Sequence, residues 1–264
     1  MMLELKGVRK VFNAGTPDEK IAIADIDLTL KKGDFLTIIG SNGAGKTTLL
    51  NLIAGICIAD KGAVFIDGLN VTHLPEHKRA GYMGRIFQNP LMGTAASMTI
   101  EENLGMADLR GKTRTLRWGV SRRRRGDYIR MLKKMELGLE DRMKQTVNLL
   151  SGGQRQSLTL LMATLSLPKL LLMDEHTAAL DPKTAVRVMK LTAEIIHRHQ
   201  LSAIMVTHNM EQAIKYGNRL IMLHEGRIQL DISGTEKASF TVEEAVKRFG
   251  SALKDDALLS SVSR

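Results

Sequence analysis

The sequence predicts an α/β protein with a parallel sheet at its core, and three observations predict this class. Apolar strands alternate with amphipathic helices in the second half of the chain, as in 170–174 (LLLMD), 182–199 (PKTAVRVMKLTAEIIHRH) and 202–208 (SAIMVTH). Such alternation implies parallel pairing. A glycine-rich turn joins a strand to a helix near residue 40, and the first thirty residues read mainly as strands. We therefore expect an N-terminal antiparallel β subdomain beside the parallel core. A helical subdomain is expected to be inserted into the core.

Composition sets the limits for this fold. The 264 residues suffice for one large α/β domain or two small ones, and the apolar fraction of 44% is ordinary for a globular protein. We expect no signal peptide or membrane span, because no apolar stretch is long enough for either. Cys57 is the single cysteine, which excludes an internal disulfide and fits a reducing cytosol. The net charge of +10 suggests an anionic partner such as a nucleotide, a nucleic acid or an acidic membrane face.

The individual elements follow in chain order. Strands are expected at 3–12, 21–30 and 34–40, and Asp67-Gly68 between apolar stretches predicts a hairpin. Helical patterns dominate from about 90 to 165, and strand–helix–strand alternation follows. Thr241 and Glu244 form a capping-box pattern ahead of a last helix. We expect one domain over 1–240, with a helical subdomain at about 90–165, and then a short helix and tail over 241–264.

The turn near residue 40 carries the first chemical motif. GSNGAGKTT (40–48) matches G-x-x-x-x-G-K-[ST], and it lies between the strand FLTII and the helix TTLLNLIAG. The glycines let successive backbone N–H groups point at phosphate oxygens, Lys46 reaches the β- and γ-phosphates, and the hydroxyl of Thr47 binds Mg²⁺. The fold is thus expected to be a P-loop NTPase (RecA-like) core that binds ATP and Mg²⁺. The expected nucleotide contacts are Gly40, Ser41, Asn42, Gly43, Ala44, Gly45, Lys46, Thr47 and Thr48.

A second motif, DEHTAALD (174–181), carries three carboxylates and a histidine. Alone it allows a metal cluster, a general acid/base pair or a plain strand end. A phosphate loop needs an acidic residue at the end of a neighbouring buried strand to hold the Mg²⁺ shell, and Asp174 supplies it. Glu175, one residue later, is then placed to polarise the water that attacks the γ-phosphate.

LLSGGQRQ (149–156) stands between these two motifs. With them it resembles the ATP-binding subunit of ABC transporters over roughly residues 1–230. Ser151, Gly152, Gly153 and Gln154 would form a second phosphate-binding device at a helix N-terminus. The resemblance implies a head-to-tail homodimer in which this signature closes over ATP held by the other subunit.

The resemblance also assigns single residues. Phe12 stands where an aromatic ring stacks on adenine, and Gln88 resembles the glutamine that senses Mg²⁺ and the attacking water and couples to the membrane partner. Leu180 and Asp181 resemble the segment that crosses to the other subunit. His208 resembles the histidine that contacts the γ-phosphate, so Glu175 and His208 are the expected catalytic pair, and Thr47, Gln88 and Asp174 the expected metal ligands.

His176 departs from the family pattern, which most often has proline after the catalytic glutamate. One interpretation is an imidazole that packs or hydrogen-bonds at the dimer interface; the other is a partner that orients Glu175 or tunes its pKa. The segment between Gln88 and Ser151 resembles the subdomain that meets the membrane protein. Its basic run, Arg122–Arg125, is either a solvated face or a contact for anionic headgroups.

The resemblance implies an ATPase subunit that powers a separate membrane permease from the cytoplasmic face of the membrane. We expect uptake of a small solute such as an amino acid, with a substrate-binding protein outside the membrane and no nucleic-acid partner. An exporter or lipid-extraction ATPase is the alternative. A chromosome-maintenance or translation-factor ATPase fits less well, because sustained heptads and a second phosphate loop are both missing from the sequence.

Overall fold

The computed structural model describes residues 1–112 and 120–249. These residues form two compact units. The first contains Met1–Arg79 and the described residues from Gln200 onward, and the second contains Ala80–His199. Among the described residues, no helix is both long enough and apolar enough to cross a membrane.

The first unit begins with an antiparallel sheet. Strands β1 (Leu3–Phe12), β2 (Lys20–Leu30), β4 (Lys61–Ile66) and β5 (Leu69–Asn70) lie in the order β2-β1-β4-β5. Every pairing in this sheet is antiparallel. The predicted hairpin is confirmed between β4 and β5, where Asp67 and Gly68 both have positive φ (50° and 80°), as a type I′ turn requires.

A buried strand and the first helix follow this sheet's opening hairpin. Strand β3 (Phe35–Ile39) runs into helix α1 (Lys46–Ala54), and a short helix α2 (Glu76–Arg79) ends this part of the chain. All five residues of β3 are buried, which is expected of a strand covered on both faces.

The second unit is mainly helical. After strand β6 (Met83–Ile86) come a 3-10 turn (Pro90–Gly93), α3 (Ile100–Asp108), α4 (Arg122–Lys133), α5 (Gly152–Thr164), strand β7 (Leu170–Asp174) and α6 (Pro182–His199). Strands β6 and β7 pair in parallel. The helices share a core of buried apolar side chains that includes Leu104, Leu132 and Leu158.

The chain then returns to the first unit through β8 (Ser202–Val206), α7 (Met210–Lys215), β9 (Arg219–His224), β10 (Arg227–Ser233), α8 (Gly234–Ser239) and α9 (Val242–Phe249). Strand β3 lies between β8 and β9 and is parallel to both, whereas β10 is antiparallel to β9. The predicted parallel core is therefore confirmed. The capping box is confirmed as well, since Glu244 N–H donates to Thr241 Oγ1 and Thr241 N–H donates to Glu244 Oε2, both at 3.2 Å.

Arg79, in α2, is a fully buried cation. Its guanidinium donates from Nη1 to the carbonyls of Leu52 (2.7 Å) and Ile53 (2.9 Å) in the last turn of α1. It also donates from Nη2 to Thr72 O (3.0 Å) and from Nε to Leu74 O (2.7 Å). A positive group at a helix C-terminus offsets the negative end of the helix dipole. Arg79 thus ties the end of α1 to the segment that precedes α2.

One interpretation expected the basic run Arg122–Arg125 to be a solvated face. The structure differs, because part of the run is ion-paired. It forms the first turn of α4, where Arg125 makes two 2.7 Å hydrogen bonds to the carboxylate of Glu101, and Arg124 lies 3.3 Å from Asp108. Arg122 and Arg123 are exposed, and Arg124 and Arg125 are partly exposed. Residues 113–119, which precede this run and also carry basic side chains in the sequence, lie outside the described residues. The predicted tail over 250–264 also lies outside them, so the proposed domain boundaries stay a prediction.

Candidate functional site

The phosphate loop connects β3 to α1 in a backbone conformation that only glycine tolerates. Gly40 and Gly45 have φ of 153° and 102°. A Cβ on Gly40 would lie 2.3 Å from Leu223 O, and one on Gly45 would lie 2.4 Å from Ala22 O. Main chain therefore packs against both glycines, and any side chain there would push the loop out of shape.

The loop presents positive groups where phosphate would bind. Gly45 is the N-cap of α1 and gives no side-chain hydrogen bond to the helix, so the first N–H groups of α1 lack a side-chain cap. Lys46 is only 5% exposed, and its ammonium donates to Gly40 O (2.6 Å) and Ser41 O (2.9 Å). The lysine is thus held along the loop, and the exposed Thr47 follows it. A helix N-terminus of this kind fits the phosphates of a nucleotide.

Two further predicted residues belong to the same unit. His208 is half-buried and follows β8 by two residues, so it lies beyond the carboxyl end of a strand that is parallel to β3. Phe12 is the last residue of β1; its ring is 40% exposed, and the ammonium of Lys10 lies 5.5 Å from the ring centroid. Its accessible face suits stacking on a base.

In the second unit, the acidic strand end and Gln88 follow neighbouring strands. Asp174 is the last residue of β7, and the exposed Gln88 comes two residues after β6. Ile86 of β6 pairs with Met173 of β7 in parallel register. Both side chains therefore follow the carboxyl ends of adjacent parallel strands, where α/β sheets bind ligands. Glu175 comes next with φ of 45°, a left-handed conformation that is uncommon outside glycine.

His176 is a buried, neutral imidazole. The ring is 2% exposed, and its Nε2 lies 3.3 Å from Thr192 Oγ1 on α6. Because that hydroxyl donates its one proton to Val188 O (2.8 Å), Nε2 carries the hydrogen and Thr192 accepts it. Burial lowers the pKa of His176 to about 4. The packing and hydrogen-bonding interpretation is confirmed, but the predicted place at a dimer interface is wrong, since the residue is only 2% exposed and bonds to α6 of its own chain.

The signature and the Leu180–Asp181 segment form one surface in the second unit. Ser151 Oγ accepts from Gln154 N–H (3.3 Å), and Gln154 Oε1 accepts from Ser151 N–H (3.1 Å), so these two residues cap α5. A Cβ on Gly152 would lie 3.6 Å from Leu180 Cδ2. Asp181 Oδ1 accepts from Thr184 N–H (3.0 Å) at the start of α6, and the hydrogen bonds to Thr184 lower the pKa of Asp181.

Sequence reasoning missed Thr184, the residue of α6 that packs directly against Gly153 of the signature. A Cβ on Gly153 would lie 2.2 Å from Thr184 Cγ2, so α5 and α6 touch at this glycine. The available signal was the Asp-x-x-Thr spacing from Asp181 at the entry to α6, which marks an N-cap and its first turn. No cluster of three or more His, Cys, Asp or Glu side chains suited to a metal ion occurs within 1–112 and 120–249.

A phosphate loop on a parallel sheet, a buried strand that ends in an acidic residue and a second glycine-rich helix N-terminus define a P-loop ATPase with two phosphate-binding elements. The family model described as "ABC transporter" matches residues 23–178. The chain belongs to the ABC transporter family and is an ATP-binding ATPase of that family, which confirms the resemblance and the predicted fold class.

Curated relatives cover most of the chain. The tyrosine transport ATP-binding protein of Clostridioides difficile (strain R20291) is 42% identical over 248 residues, which is 94% of this chain and 98% of that protein. The spermidine/putrescine import ATP-binding protein PotA of Escherichia coli (strain K12) is 32% identical over 230 residues. That alignment covers 87% of this chain but 56% of the longer relative.

Solved structures give the same family. A dimeric bacterial ABC transporter cassette is 30% identical with a TM-score of 0.75, and the match covers 88% of this chain and 98% of that one. A dimeric ATP-binding cassette in a post-hydrolysis state, bound to ADP and Pi, is 29% identical with a TM-score of 0.74 over the same shares.

Proposed function

We propose that this chain is the ATP-hydrolysing subunit of an uptake transporter for a small solute, and that the solute is an amino acid, with tyrosine the first candidate. The observation that carries the proposal is the 42% identity over 98% of the length of a tyrosine transport ATP-binding protein. The PotA relative also bears an import name. Substrate selection belongs to other subunits, so the likeness acts as a guide to the system and not to a pocket in this chain.

In the proposed reaction, the uncapped N–H groups of α1 and the ammonium of Lys46 bind the β- and γ-phosphates. Glu175 orients the attacking water and accepts its proton, and His208 contacts the γ-phosphate. Mg²⁺, when bound, neutralises charge that develops on the phosphate oxygens. The residues that would hold it are Thr47, Asp174 and Gln88. A hydroxyl, a carboxylate and an amide oxygen are hard ligands of the kind that Mg²⁺ accepts together with phosphate.

We further propose that two chains pack head to tail, each signature closing over ATP held by the other. The exposure of Ser151 and Gly152, beside Leu180 and Asp181, supports this arrangement. Separate permease subunits and a substrate-binding protein outside the membrane complete the system, which places the ATPase on the cytoplasmic face. Phe12 would stack on adenine.

We also propose that residues 1–240 form one ATPase domain with a helical subdomain at about 90–165, and that 241–264 form a helix and tail.

The proposal is tested in cells that lack tyrosine uptake and express this chain with a permease and binding protein from the same genome. Labelled tyrosine should accumulate with the wild-type chain and fail to accumulate with Glu175→Gln, which keeps ATP binding but lacks the catalytic carboxylate. Competition by other unlabelled amino acids then defines the substrate range. Energy-dependent loss of preloaded tyrosine, or ATPase stimulation by DNA or RNA alone, would overturn the uptake function.

A further inference from the structure

Gln156, on the signature helix α5, is a buried amide that the proposed reaction does not use. Its side chain is 0% exposed, and its Nε2 donates to the carbonyl of Phe87 at 3.4 Å. Its Oε1 accepts no hydrogen bond from any described group of the protein. Phe87 O fixes the orientation of the amide, because a flipped amide would oppose two oxygens. An unsatisfied buried acceptor costs stability and therefore calls for a functional reason.

The residue that follows Phe87 is Gln88, and α5 holds the chain on both sides of it. On the N-terminal side, Gln156 holds Phe87 O. On the C-terminal side, Gly93 ends the 3-10 turn and packs on α5, since a Cβ there would lie 2.6 Å from Thr159 Cγ2. Asn89 accepts from Leu91 N–H at 3.0 Å and so starts that turn immediately after Gln88. Gln88 itself is exposed between these two attachments.

The contacts lie on one face of the helix. Gln156, Thr159 and Ala163 are spaced i, i+3 and i+7, which places them in one row along α5. Ala163 meets β6 itself, because a Cβ on Gly84 would lie 2.4 Å from Ala163 O. The signature at the start of α5 and the segment 84–93 are thus packed together along a continuous seam.

We propose that Gln156 is a positioning residue for Gln88. It sets the place of the Gln88 backbone relative to the signature helix α5, so that Gln88 and the signature move as one body. The proposal rests on the role proposed above for Gln88. It explains why α5 keeps an amide with an unsatisfied oxygen at a buried position, where an apolar side chain of the same length would remove that oxygen and lose only one long hydrogen bond. Catalysis requires the hydrogen bond to Phe87 O, whereas folding does not.

The first test is Gln156→Met, which keeps length and volume but removes both the hydrogen bond and the unsatisfied acceptor. We expect kcat for ATP to fall roughly 3- to 10-fold, as for the loss of one positioning hydrogen bond, with an unchanged KM. The melting temperature should stay the same or rise. Thr164→Val is the matched control, a buried polar-to-apolar change on the same helix, whose hydroxyl bonds only within α5; it should leave kcat unchanged. Wild-type kcat in Gln156→Met would overturn the proposal.

A double-mutant cycle separates this proposal from the proposed function. In a Gln88→Ala background, Gln156→Met should cause no further loss, because the residue it positions is gone. A full additional loss there, with Gln88→Ala itself impaired, would overturn the positioning role alone. Wild-type kcat in Gln88→Ala would instead overturn the role proposed for Gln88, and the inference with it.

A second pair of variants decides the matter even if Gln156→Met does not fold. Gly93→Ala should lower kcat, because its methyl group pushes the turn away from Thr159 Cγ2. Adding Thr159→Ser removes the Cγ2 methyl group of residue 159 but keeps the hydroxyl that donates to Arg155 O. The second change should therefore restore kcat at least 3-fold. Failure of the serine to restore activity would overturn the seam as the means of positioning Gln88.

Discussion

Replacing Arg79 by methionine should destabilise the protein more than almost any other single change to a charged residue. The change removes four hydrogen bonds to the carbonyls of Leu52, Ile53, Thr72 and Leu74, at 2.7 to 3.0 Å. If each carbonyl loses about 1 kcal/mol after partial relaxation, the total is about 4 kcal/mol. At about 2–4 °C per kcal/mol for a chain of this size, the melting temperature should fall by roughly 8–16 °C.

Differential scanning calorimetry and urea unfolding measure this loss directly. Arg79→Lys keeps the charge but offers fewer and shorter-reaching donors, so it should recover about half of the loss. Lys78→Met, the exposed neighbour in α2, is the matched control and should stay within about 0.5 kcal/mol of wild type. Arg79→Met with a melting temperature within about 2 °C of the Lys78→Met control would refute the view that this cation secures the end of α1.

Three further predictions concern the site. Glu175→Gln should bind ATP, lose at least roughly 100-fold in turnover and accumulate an ATP-bound dimer; robust hydrolysis, measured by phosphate release, would contradict its catalytic role. Gly45→Ala should abolish nucleotide binding in calorimetric titration, because its Cβ would lie 2.4 Å from Ala22 O at a φ of 102°; wild-type affinity would show that the loop can shift. His176 stays neutral in the fold, with a pKa of about 4 against an ordinary 6.5, so the unfolded chain binds the extra proton between these values. Stability should therefore fall by roughly 3 kcal/mol as pH drops from 6.5 to 4, and His176→Gln should flatten this part of the urea-unfolding profile; an unchanged slope would argue against a buried neutral ring.

The predicted strands and the phosphate loop were confirmed because their signals are local. Glycines at fixed spacing and apolar runs such as β3 reflect the backbone and burial of the segment itself. Strand β6 was missed for the opposite reason. Its sequence, MGRI, has little β character, and its burial comes from packing against β7 and from the close approach of Gly84 to Ala163. The β9–β10 pair was also missed, although its second strand, RIQLDIS, alternates strictly between polar and apolar residues.

The sequence motifs located the candidate site residues along the chain, but the contacts that support those residues could not be predicted. No local sequence pattern marks Arg79 or Gln156 as buried. Only tertiary packing makes these polar residues buried hydrogen-bond donors. Likewise, His176 lies in the turn after β7, and its partner Thr192 is sixteen residues further on, on helix α6. Partners of buried polar groups depend on which elements meet, and no local pattern records that.

Glu175 occupies a left-handed backbone conformation (φ 45°) that costs a non-glycine residue about 1 kcal/mol. Glycine or asparagine would relieve that cost at the same position. Laboratory evolution for heat resistance alone should therefore drift toward these residues at 175, and the survivors would be sturdier proteins without turnover. A screen that selects for stability in this chain needs a simultaneous selection for ATP hydrolysis, because at this position the two demands favour different amino acids.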